Sequence, residues 1–400
     1  MKIAMTGGGS GGHITPILAV AHELKRHDSS AEVVYIGQRG DNFADIVEEH
    51  HDVIDAVYSV RAGKFRRYHG EGWRQLLDIH TLWLNIRDVL FVIIGFWQSF
   101  WLLGKVKPDV IFVKGGFVGV PVGLAAALRR IPYVTHDSDA IPGLANRIIA
   151  RWAHTHAVAL PIELYPYPPA KTVDVGVPVS HNYVPVDDLK RANYRHEAGI
   201  SQYKHILLVT GGGLGAERVN KALLSVASDL LVADPTLCIV HTVGHKHEKA
   251  VSAAYTRLLA PDDRRRVIVR DYINDLYRYS GAADLVVARG GATNLAELAG
   301  QGAAVIVVPN PLLTGGHQLK NALAYAEKQA IVVVTEESLQ KTPQILGAKI
   351  GELLKDQAQR AALSKNIATF SRANAAEKLA ELLLNTKKDS TNASQSPKKA

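Results

Sequence analysis

The chain has 400 residues with 47% hydrophobic and 21% charged side chains, and its formal net charge is +8. This composition excludes a disordered chain, and the length allows two domains with full cores. Its single cysteine, Cys238, excludes an internal disulfide and indicates a reducing compartment. No signal peptide is expected, since a strand begins at once. The positive charge suits phosphorylated ligands or an anionic membrane. Nucleic acid is not expected, because no zinc knuckle or basic recognition helix occurs.

The first predicted strand, Lys2–Thr6, leads into a glycine-rich segment, Gly7–Pro16. A helical pattern follows over 17–24, with Pro16 suited to the first helical turn. Glycines let a backbone approach its ligand closely, and a helix N-terminus offers N–H groups to an anion. The segment therefore predicts a phosphate-binding turn, with the ionisable side chain of His13 at its mouth.

Two common nucleotide-binding loops fit this segment poorly. It lacks the Gly-Lys-Ser/Thr ending of a P-loop. Gly7, Gly9 and Gly12 satisfy Gly-x-Gly-x-x-Gly, but the second predicted strand ends at 37–39 without the acidic residue that holds a dinucleotide ribose. An NAD site is therefore not expected. A tight structural turn with a surface histidine remains the alternative.

Short strand patterns alternate with helical patterns along the whole chain. In the first half the predicted strands are 2–6, 32–36, 53–60, 109–113, 133–135 and 156–159. In the second half they are 205–210, 237–242, 267–270, 284–288, 304–308 and 331–333. Such alternation predicts an α/β protein with two doubly wound domains, since helices then cover both faces of each parallel sheet.

The domain limits are set by a proline-bearing segment at 176–185. We expect an N-terminal domain over 1–178 and a C-terminal domain over 179–369. A helix near 370–385 is expected to return to the first domain, and 387–400 to be a disordered tail.

Three further glycine turns follow predicted strands, at Lys114–Gly119, Gly211–Ala216 and Arg289–Asn294. Ligands of doubly wound sheets bind beyond the carboxyl ends of the strands, where all four turns are placed. Two sheets that face each other through these edges are expected to enclose a cleft.

The segment 61–107 departs from the alternating pattern. A helical pattern over 76–103 is preceded by basic residues, namely Arg61, Lys64, Arg66, Arg67 and Arg74. Its uncharged part, 89–104, is shorter than the roughly 20 residues of a spanning helix. That part is rich in aromatic residues, namely Phe91, Phe96, Trp97, Phe100 and Trp101. Aromatic content beside a basic border favours a helix on an anionic membrane surface, with a buried core helix as the alternative.

These motifs together resemble the peptidoglycan GlcNAc transferases of glycosyltransferase family 28. The matching segments are 8–16, 107–110, 115–118, 141–147, 211–216 and 289–292, together with Glu297, His317, Gln318 and Asn321. The resemblance implies a GT-B fold, in which two Rossmann-like domains face each other across a cleft. It implies that the N-terminal domain, 1–178, binds the acceptor and the membrane and that the C-terminal domain, 179–369, binds the UDP-sugar. It also implies inverting transfer of GlcNAc from UDP-GlcNAc to undecaprenyl-diphosphate-linked lipid I, giving lipid II at the cytoplasmic membrane face. Cell-wall synthesis proteins are further expected partners, and no metal or other cofactor is expected.

The resemblance also implies roles for individual residues. His13 matches the general base, and imidazole is suited to taking a proton at neutral pH. Glu297 matches the carboxylate for the UDP ribose, Ile273 the backbone contact to uracil, and His317 with Gln318 the GlcNAc hydroxyl contacts. The implied donor-binding residues are Ser10, Gly11, Gly12, Asp139, Gly213, Ile273, Arg289, Gly291, Ala292, Glu297, His317 and Gln318. The implied acceptor-binding residues are Gly9, Ser10, Gly11, Gly12, His13, Gly116 and Phe117.

Several positions depart from the family pattern, mostly around the donor. Asp139 replaces an asparagine, and Phe117 stands where tyrosine is common. The other departures are Val177 and Ser180 for a hinge asparagine and arginine, and Gly213 and Leu214 for serine and glutamine. The alternatives are therefore a transferase with another UDP-sugar or lipid, a UDP-GlcNAc 2-epimerase, and a membrane-docked binding subunit. Asp139 is also a candidate second base or a helix cap.

Overall fold

The computed structural model describes residues 1–8, 11–40, 47, 49–64, 79–212, 215–311 and 316–395. The strands are β1 Lys2–Gly7, β2 Glu32–Gln38, β3 Ala56–Val60, β4 Val110–Gly115, β5 Tyr133–Asp137, β6 Thr155–Val158, β7 Thr172–Asp174, β8 His205–Thr210, β9 Leu237–Thr242, β10 Val267–Arg270, β11 Leu285–Ala288, β12 Val305–Val307 and β13 Val332–Val333. The helices are α1 Gly11–His27, α2 Ile79–Val106, α3 Gly119–Arg129, α4 Leu144–Ile149, α5 Asp188–Glu197, α6 Glu217–Ala233, α7 Glu248–Leu258, α8 Pro261–Arg265, α9 Leu276–Ala282, α10 Ala292–Gln301, α11 His317–Ala326, α12 Glu336–Lys341, α13 Gln344–Lys355, α14 Gln357–Ala368 and α15 Ala375–Gln395.

The first sheet places its described strands in the order β3-β2-β1-β4-β5-β6-β7, with every pairing parallel. One face packs against α1 and α15, and the other against α2, α3 and α4. Since both faces are covered, β1 and β4 are buried along almost their whole length. The sequence did not predict β7, because this three-residue strand follows a proline-rich segment.

The second sheet has the order β10-β9-β8-β11-β12-β13, again with parallel pairings. Helices α6, α7 and α13 cover one face, and α9, α10, α11 and α14 cover the other. Each sheet is therefore wound on both sides. The predicted fold class, two doubly wound Rossmann-like domains, is confirmed.

The chain order reverses once in each sheet, between β1 and β4 and between β8 and β11. Loops that leave neighbouring strands in opposite directions open a crevice at the carboxyl edge, where ligands of such sheets bind. The four glycine turns follow these four strands. Sheet topology therefore assigns two glycine turns to each crevice.

The chain divides into a first unit, Met1–His181 with Arg372–Ala400, and a second unit, Asn182–Ser371. Helix α15 belongs to the first unit, because Leu379, Ala380 and Leu383 share a core with α1. This helix continues to Gln395, into the segment 387–400 for which the sequence predicts disorder. A helix that has already formed is extended at little cost, which accounts for the difference. Residues 396–400 lie outside the described residues.

Helix α2 packs directly on the rest of the first unit, because two glycines allow contact between backbones. A Cβ atom added to Gly95 would lie 1.8 Å from the Arg61 carbonyl oxygen, and one on Gly63 would lie 1.9 Å from that of Asp88. Arg129 of α3 donates a hydrogen bond to the Phe100 carbonyl and covers the Phe100 ring at 4.0 Å. One face of α2 is thus fixed to the domain.

The opposite face of α2 carries an exposed apolar stripe at helical spacing. We call it the α2 stripe; it consists of Trp83, Ile86, Leu90, Ile93, Ile94, Trp97 and Trp101. Trp101 is 70% exposed, whereas Leu103 is 1% exposed. Among the described residues, the stretch Trp83–Val106 is long and apolar enough to cross a membrane. This stretch is longer than the uncharged part 89–104, because it also takes in Arg87, Asp88 and Lys105.

Candidate active site

The first crevice is formed by the loops after β1 and β4, which touch through their backbones. Gly116 has a φ of +78°, and a Cβ atom there would lie 2.3 Å from the Gly8 carbonyl oxygen. Only glycine fits both constraints. The imidazole of His13 in turn hydrogen-bonds the backbone of Gly8. The contact between the two loops therefore helps to place the histidine.

Helix α1 begins earlier than the sequence predicts, at Gly11, so that His13 lies in its first turn. Pro16 lies inside the helix, and its predicted place in the first turn is wrong. A proline inside a helix removes an N–H donor toward the carbonyl four residues earlier, and its ring crowds that carbonyl, yet the Gly-Gly-His-Ile sequence before Pro16 still forms helix. Gly11 and Gly12 belong to this turn, whereas Gly9 and Ser10 lie outside the described residues.

His13 is held as a neutral imidazole. Burial lowers its pKa to about 4, the positive charge of Lys114 adds to this effect, and Asp139 and the bond to Gly8 oppose it. The ring is therefore unprotonated at neutral pH and able to accept a proton.

Lys114 is a charged neighbour of His13 to which the sequence assigned no role. It lies near the end of the buried strand β4 and is 3% exposed. Its Nζ donates to the Ser138 hydroxyl at 2.9 Å. Burial lowers the pKa of Lys114 to about 8, against the carboxylates of Asp139 and Asp137. The sequence signal that could have identified Lys114 is a lysine at the end of an otherwise apolar strand.

The end of β5 is a rigid support for the turn that carries Asp139. Asp137 accepts hydrogen bonds from the Tyr167 hydroxyl at 2.8 Å and the Asn146 amide at 3.0 Å, and burial raises its pKa. The His136 ring bonds the Gly176 carbonyl at 2.9 Å, which agrees with a structural role. Asp139 itself is half-buried.

Phe117 is half-buried and packs against the core beneath α3. Its predicted contact with the acceptor, like that of Gly116, stays a prediction.

The second crevice repeats the close approach of glycine to a carbonyl. Gly215 has a φ of +75°, and a Cβ atom there would lie 2.1 Å from the Val243 carbonyl oxygen. A Cβ atom on Gly290 would lie 2.4 Å from the Gln318 carbonyl oxygen. The Gln318 side-chain oxygen accepts a hydrogen bond from the backbone N–H of Asn310 at 2.8 Å. These contacts place the start of α11, with His317 and Gln318, beside the loop after β11.

The predicted diphosphate loops are described only in part. Gly213 and Leu214 lie outside the described residues, while Gly291 precedes the first turn of α10 and Ala292 begins it. The Arg289 side chain is engaged elsewhere, since it forms a 2.6 Å ion pair with the buried Glu336. The predicted contact of Arg289 with the donor stays a prediction.

Glu297 lies half-buried on α10, and burial raises its pKa to about 8. Its carboxylate faces two tyrosines: burial and this nearby charge raise the pKa of both Tyr183 and Tyr272. Tyr272 also stacks on His245 at 6.0 Å between ring centroids, and Ile273 beside it is 9% exposed. The structure thus brings Glu297 and the segment of Ile273 together. Tyr183 was missed, because it lies in a segment interpreted as a linker.

One group among the described residues has metal-type ligands close together, with the atoms of Glu23, His27 and Glu377 within 4.8 Å of one another. Arg26 already donates to both carboxylates, at 2.7 Å each. The group lies at the far end of α1 from His13. It is an ion-pair cluster that takes no part in the two crevices.

Comparison with known proteins finds one family domain in each half of the chain. Residues 3–158 match the glycosyltransferase family 28 N-terminal domain, and residues 206–380 match the family's C-terminal domain. A relative from Halalkalibacterium halodurans is 33% identical over 341 residues, covering 85% of this chain and 87% of its own length. It is named UDP-N-acetylglucosamine--N-acetylmuramyl-(pentapeptide) pyrophosphoryl-undecaprenol N-acetylglucosamine transferase.

Solved structures agree on the fold. MurG of Acinetobacter baumannii superposes with a TM-score of 0.68 at 21% identity, covering 96% of this chain and 99% of its own. UDP-GlcNAc 2-epimerase of Neisseria meningitidis gives a TM-score of 0.61 at 15% identity, covering 96% and 100%. At such identities these two show the fold alone. The two domain matches and the close relative decide the family: this chain belongs to glycosyltransferase family 28.

Proposed function

We propose that this enzyme transfers GlcNAc from UDP-GlcNAc to the muramoyl sugar of an undecaprenyl-diphosphate-linked acceptor, with inversion at the anomeric carbon. The observation that carries the proposal is His13, a neutral imidazole at the crevice of the first unit. The name of the Halalkalibacterium halodurans relative supplies the substrates.

The chemistry assigned to His13 is general-base catalysis. The acceptor hydroxyl attacks the anomeric carbon as its proton passes to the imidazole, and the C–O bond to UDP breaks with its electron pair leaving on the diphosphate. The face opposite the leaving group is attacked, so an α-linked donor gives a β-linkage. Backbone N–H groups at the start of α10 are suited to the charge that develops on the diphosphate.

The second unit is proposed to hold the donor. Glu297 would accept hydrogen bonds from the ribose hydroxyls, and a carboxylate makes stronger bonds of this kind than a neutral acceptor. The nearby Ile273 would contact uracil through its backbone. His317 and Gln318 would contact the GlcNAc hydroxyls from α11.

We further propose that the first unit lies on the cytoplasmic face of the cell membrane through the α2 stripe. Fixation of the opposite helix face by Gly95 and Arg129 supports a helix that lies on the bilayer, because spanning would require that face to leave the domain. The guanidinium groups of Arg61 and Arg87 lie 5.5 and 5.4 Å from the Phe91 ring centre, beside the stripe. Such cations favour anionic lipids.

The test is an assay of the full chain with lipid I in anionic vesicles and a panel of UDP-sugars. We expect a β-linked GlcNAc product, formed at least about tenfold faster from UDP-GlcNAc than from UDP-glucose. Transfer of another sugar would revise the donor. Conversion of UDP-GlcNAc to UDP-ManNAc without acceptor would replace the proposal by an epimerase, and no reaction with lipid I would overturn it.

A further inference from the structure

We propose that Lys114 is a positioning residue for the base: its buried ammonium group, anchored on Ser138 and balanced by Asp139, faces His13 and disfavours a second positive charge there. The proposal deepens the proposed function, since it concerns the same histidine. The underlying contacts are nevertheless independent of any substrate.

The position of Lys114 is fixed from two sides. Its Cβ atom lies 3.2 Å from where a Cβ atom on Gly7 would stand, so its stem runs beneath the loop after β1. Its Nζ then reaches the turn after β5, where Ser138 accepts its hydrogen bond at 2.9 Å. The side chain is 3% exposed, which leaves little room for rotamers other than the one that bridges these two segments.

The charges around His13 come from three elements. Lys114 of β4 disfavours the imidazolium, and Asp139 in the turn after β5 favours it. His136 of β5 also faces both His13 and Lys114, but burial keeps that ring neutral. Asp137 and Asp139 in turn stabilise the Lys114 ammonium. Protonation of His13 would therefore place a second cation beside a buried lysine.

This arrangement has a consequence for catalysis. A base can accept a proton only while it is unprotonated, and the lysine adds to burial in disfavouring protonation of His13 at mildly acidic pH. A purely structural Lys114 would only hold the turn through Ser138. The two roles are separable, because Ser138→Ala removes the hydrogen bond and keeps the charge, whereas Lys114→Met keeps the stem and removes the charge.

The experiment is an NMR titration of the histidine rings in the full chain between pH 4.5 and 8, with His13 assigned from its missing signal in His13→Ala. We expect the titration midpoint of the wild-type ring to lie below this range, so that the ring is largely unprotonated above pH 5. Lys114→Met should raise the titration midpoint of His13 by roughly one pH unit or more, into the observable range, while Ser138→Ala should leave it below the range. An unchanged His13 signal in folded Lys114→Met would overturn the proposal.

Asp139→Asn, a substitution of a half-buried side chain, should shift the titration midpoint of His13 in the opposite direction. Combined with Lys114→Met, it should lower the His13 midpoint relative to Lys114→Met alone. If Lys114→Met does not fold, Lys114→Arg keeps the charge and should leave His13 unprotonated at pH 5; protonation there would overturn the proposal.

The pH profile of kcat/KM separates this inference from the proposed function. Lys114→Met should move the acidic limb to higher pH, and Ser138→Ala should not. A His13 titration that shifts in a chain without transferase activity would leave the inference standing and reject the function. Transferase activity with an unshifted His13 titration would reject the inference and leave the proposed function standing.

Discussion

The two sheets of this protein share a backbone design and differ in the side chains at their crevices. Both reverse strand order at their two central strands, and both pack a glycine against a carbonyl oxygen there, Gly116 in the first and Gly290 in the second. The first crevice adds two titratable groups that interact electrostatically, His13 and Lys114. The second adds Glu297 among aromatic and apolar side chains. The same loop geometry is thus equipped for proton transfer in one unit and for recognition in the other.

Burial favours the neutral form of the titratable group in each crevice, His13 in the first and Glu297 in the second. It lowers the pKa of His13 to about 4 and raises that of Glu297 to about 8. A neutral histidine is ready to accept a proton. A protonated glutamate, by contrast, is a weaker acceptor for the ribose hydroxyls than a carboxylate. Glu297 must therefore lose its proton before it can bind the ribose as proposed.

The largest expected effect tests the proton-transfer crevice. His13→Ala should reduce transfer about 10²- to 10⁴-fold, because the attacking hydroxyl loses its base. UDP affinity, measured by calorimetry, should stay within a few-fold of wild type, since nucleotide binding is assigned to the second unit. His22→Ala on the same helix is the matched control. Turnover of His13→Ala within a few-fold of wild type would remove the distinction between the crevices.

The second prediction concerns the membrane face that only the first unit carries. Trp97→Glu with Trp101→Glu should weaken binding to anionic vesicles by about 100-fold or more, since each tryptophan contributes roughly 1.5–3 kcal/mol when buried. Vesicle flotation measures the effect. Val232→Glu, at an exposed apolar position of the second unit, is the control and should bind like wild type. Equal loss in both variants would argue against a specific membrane face.

The third prediction concerns the recognition crevice. At pH 9, where the carboxylate is largely ionised, Glu297→Gln should weaken UDP binding by about tenfold or more, because a hydrogen bond to a charged group contributes roughly 1.5–3 kcal/mol. In wild type the affinity should rise with pH through about 8, as the carboxylate forms. The variant should lose this dependence. A pH dependence that survives in Glu297→Gln would assign it to another group, and Glu337→Gln, at a fully exposed position, is the control.

The same variant should alter the pH dependence of stability. The folded pKa of Glu297 lies above its ordinary value of 4.5, so the folded state binds more protons between pH 4.5 and about 8. This group's contribution to stability is therefore present below pH 4.5 and is lost as pH rises through about 8. In thermal unfolding, the stability of Glu297→Gln relative to wild type should increase as pH rises from 5 to 9. A constant difference would contradict the raised pKa.

The smallest expected effect tests the design that the crevices share. Gly290→Ala should lower the free energy of unfolding by roughly 1–3 kcal/mol, because its methyl group would meet the Gln318 carbonyl. Gly291→Ala should cost less, since nothing lies within 4 Å of a Cβ atom there. In the first unit, Gly116→Ala and Gly143→Ala form the same contrast. Equal stabilities within either pair, measured by urea unfolding, would show that the loop relaxes.

The sequence by itself determined the local features of this protein. Apolar runs and glycine turns encode short-range structure, so every strand except β7 was predicted, and the described parts of the four glycine turns lie where the sequence placed them. The motif order predicted the family. The tertiary structure decided which distant residues meet: Lys114 with Ser138, Tyr183 with Glu297, and Arg289 with Glu336. It also fixed one face of α2 to the domain and exposed the other. Those contacts depend on strand order and helix packing, which bring together residues far apart in the chain, and no local pattern records them.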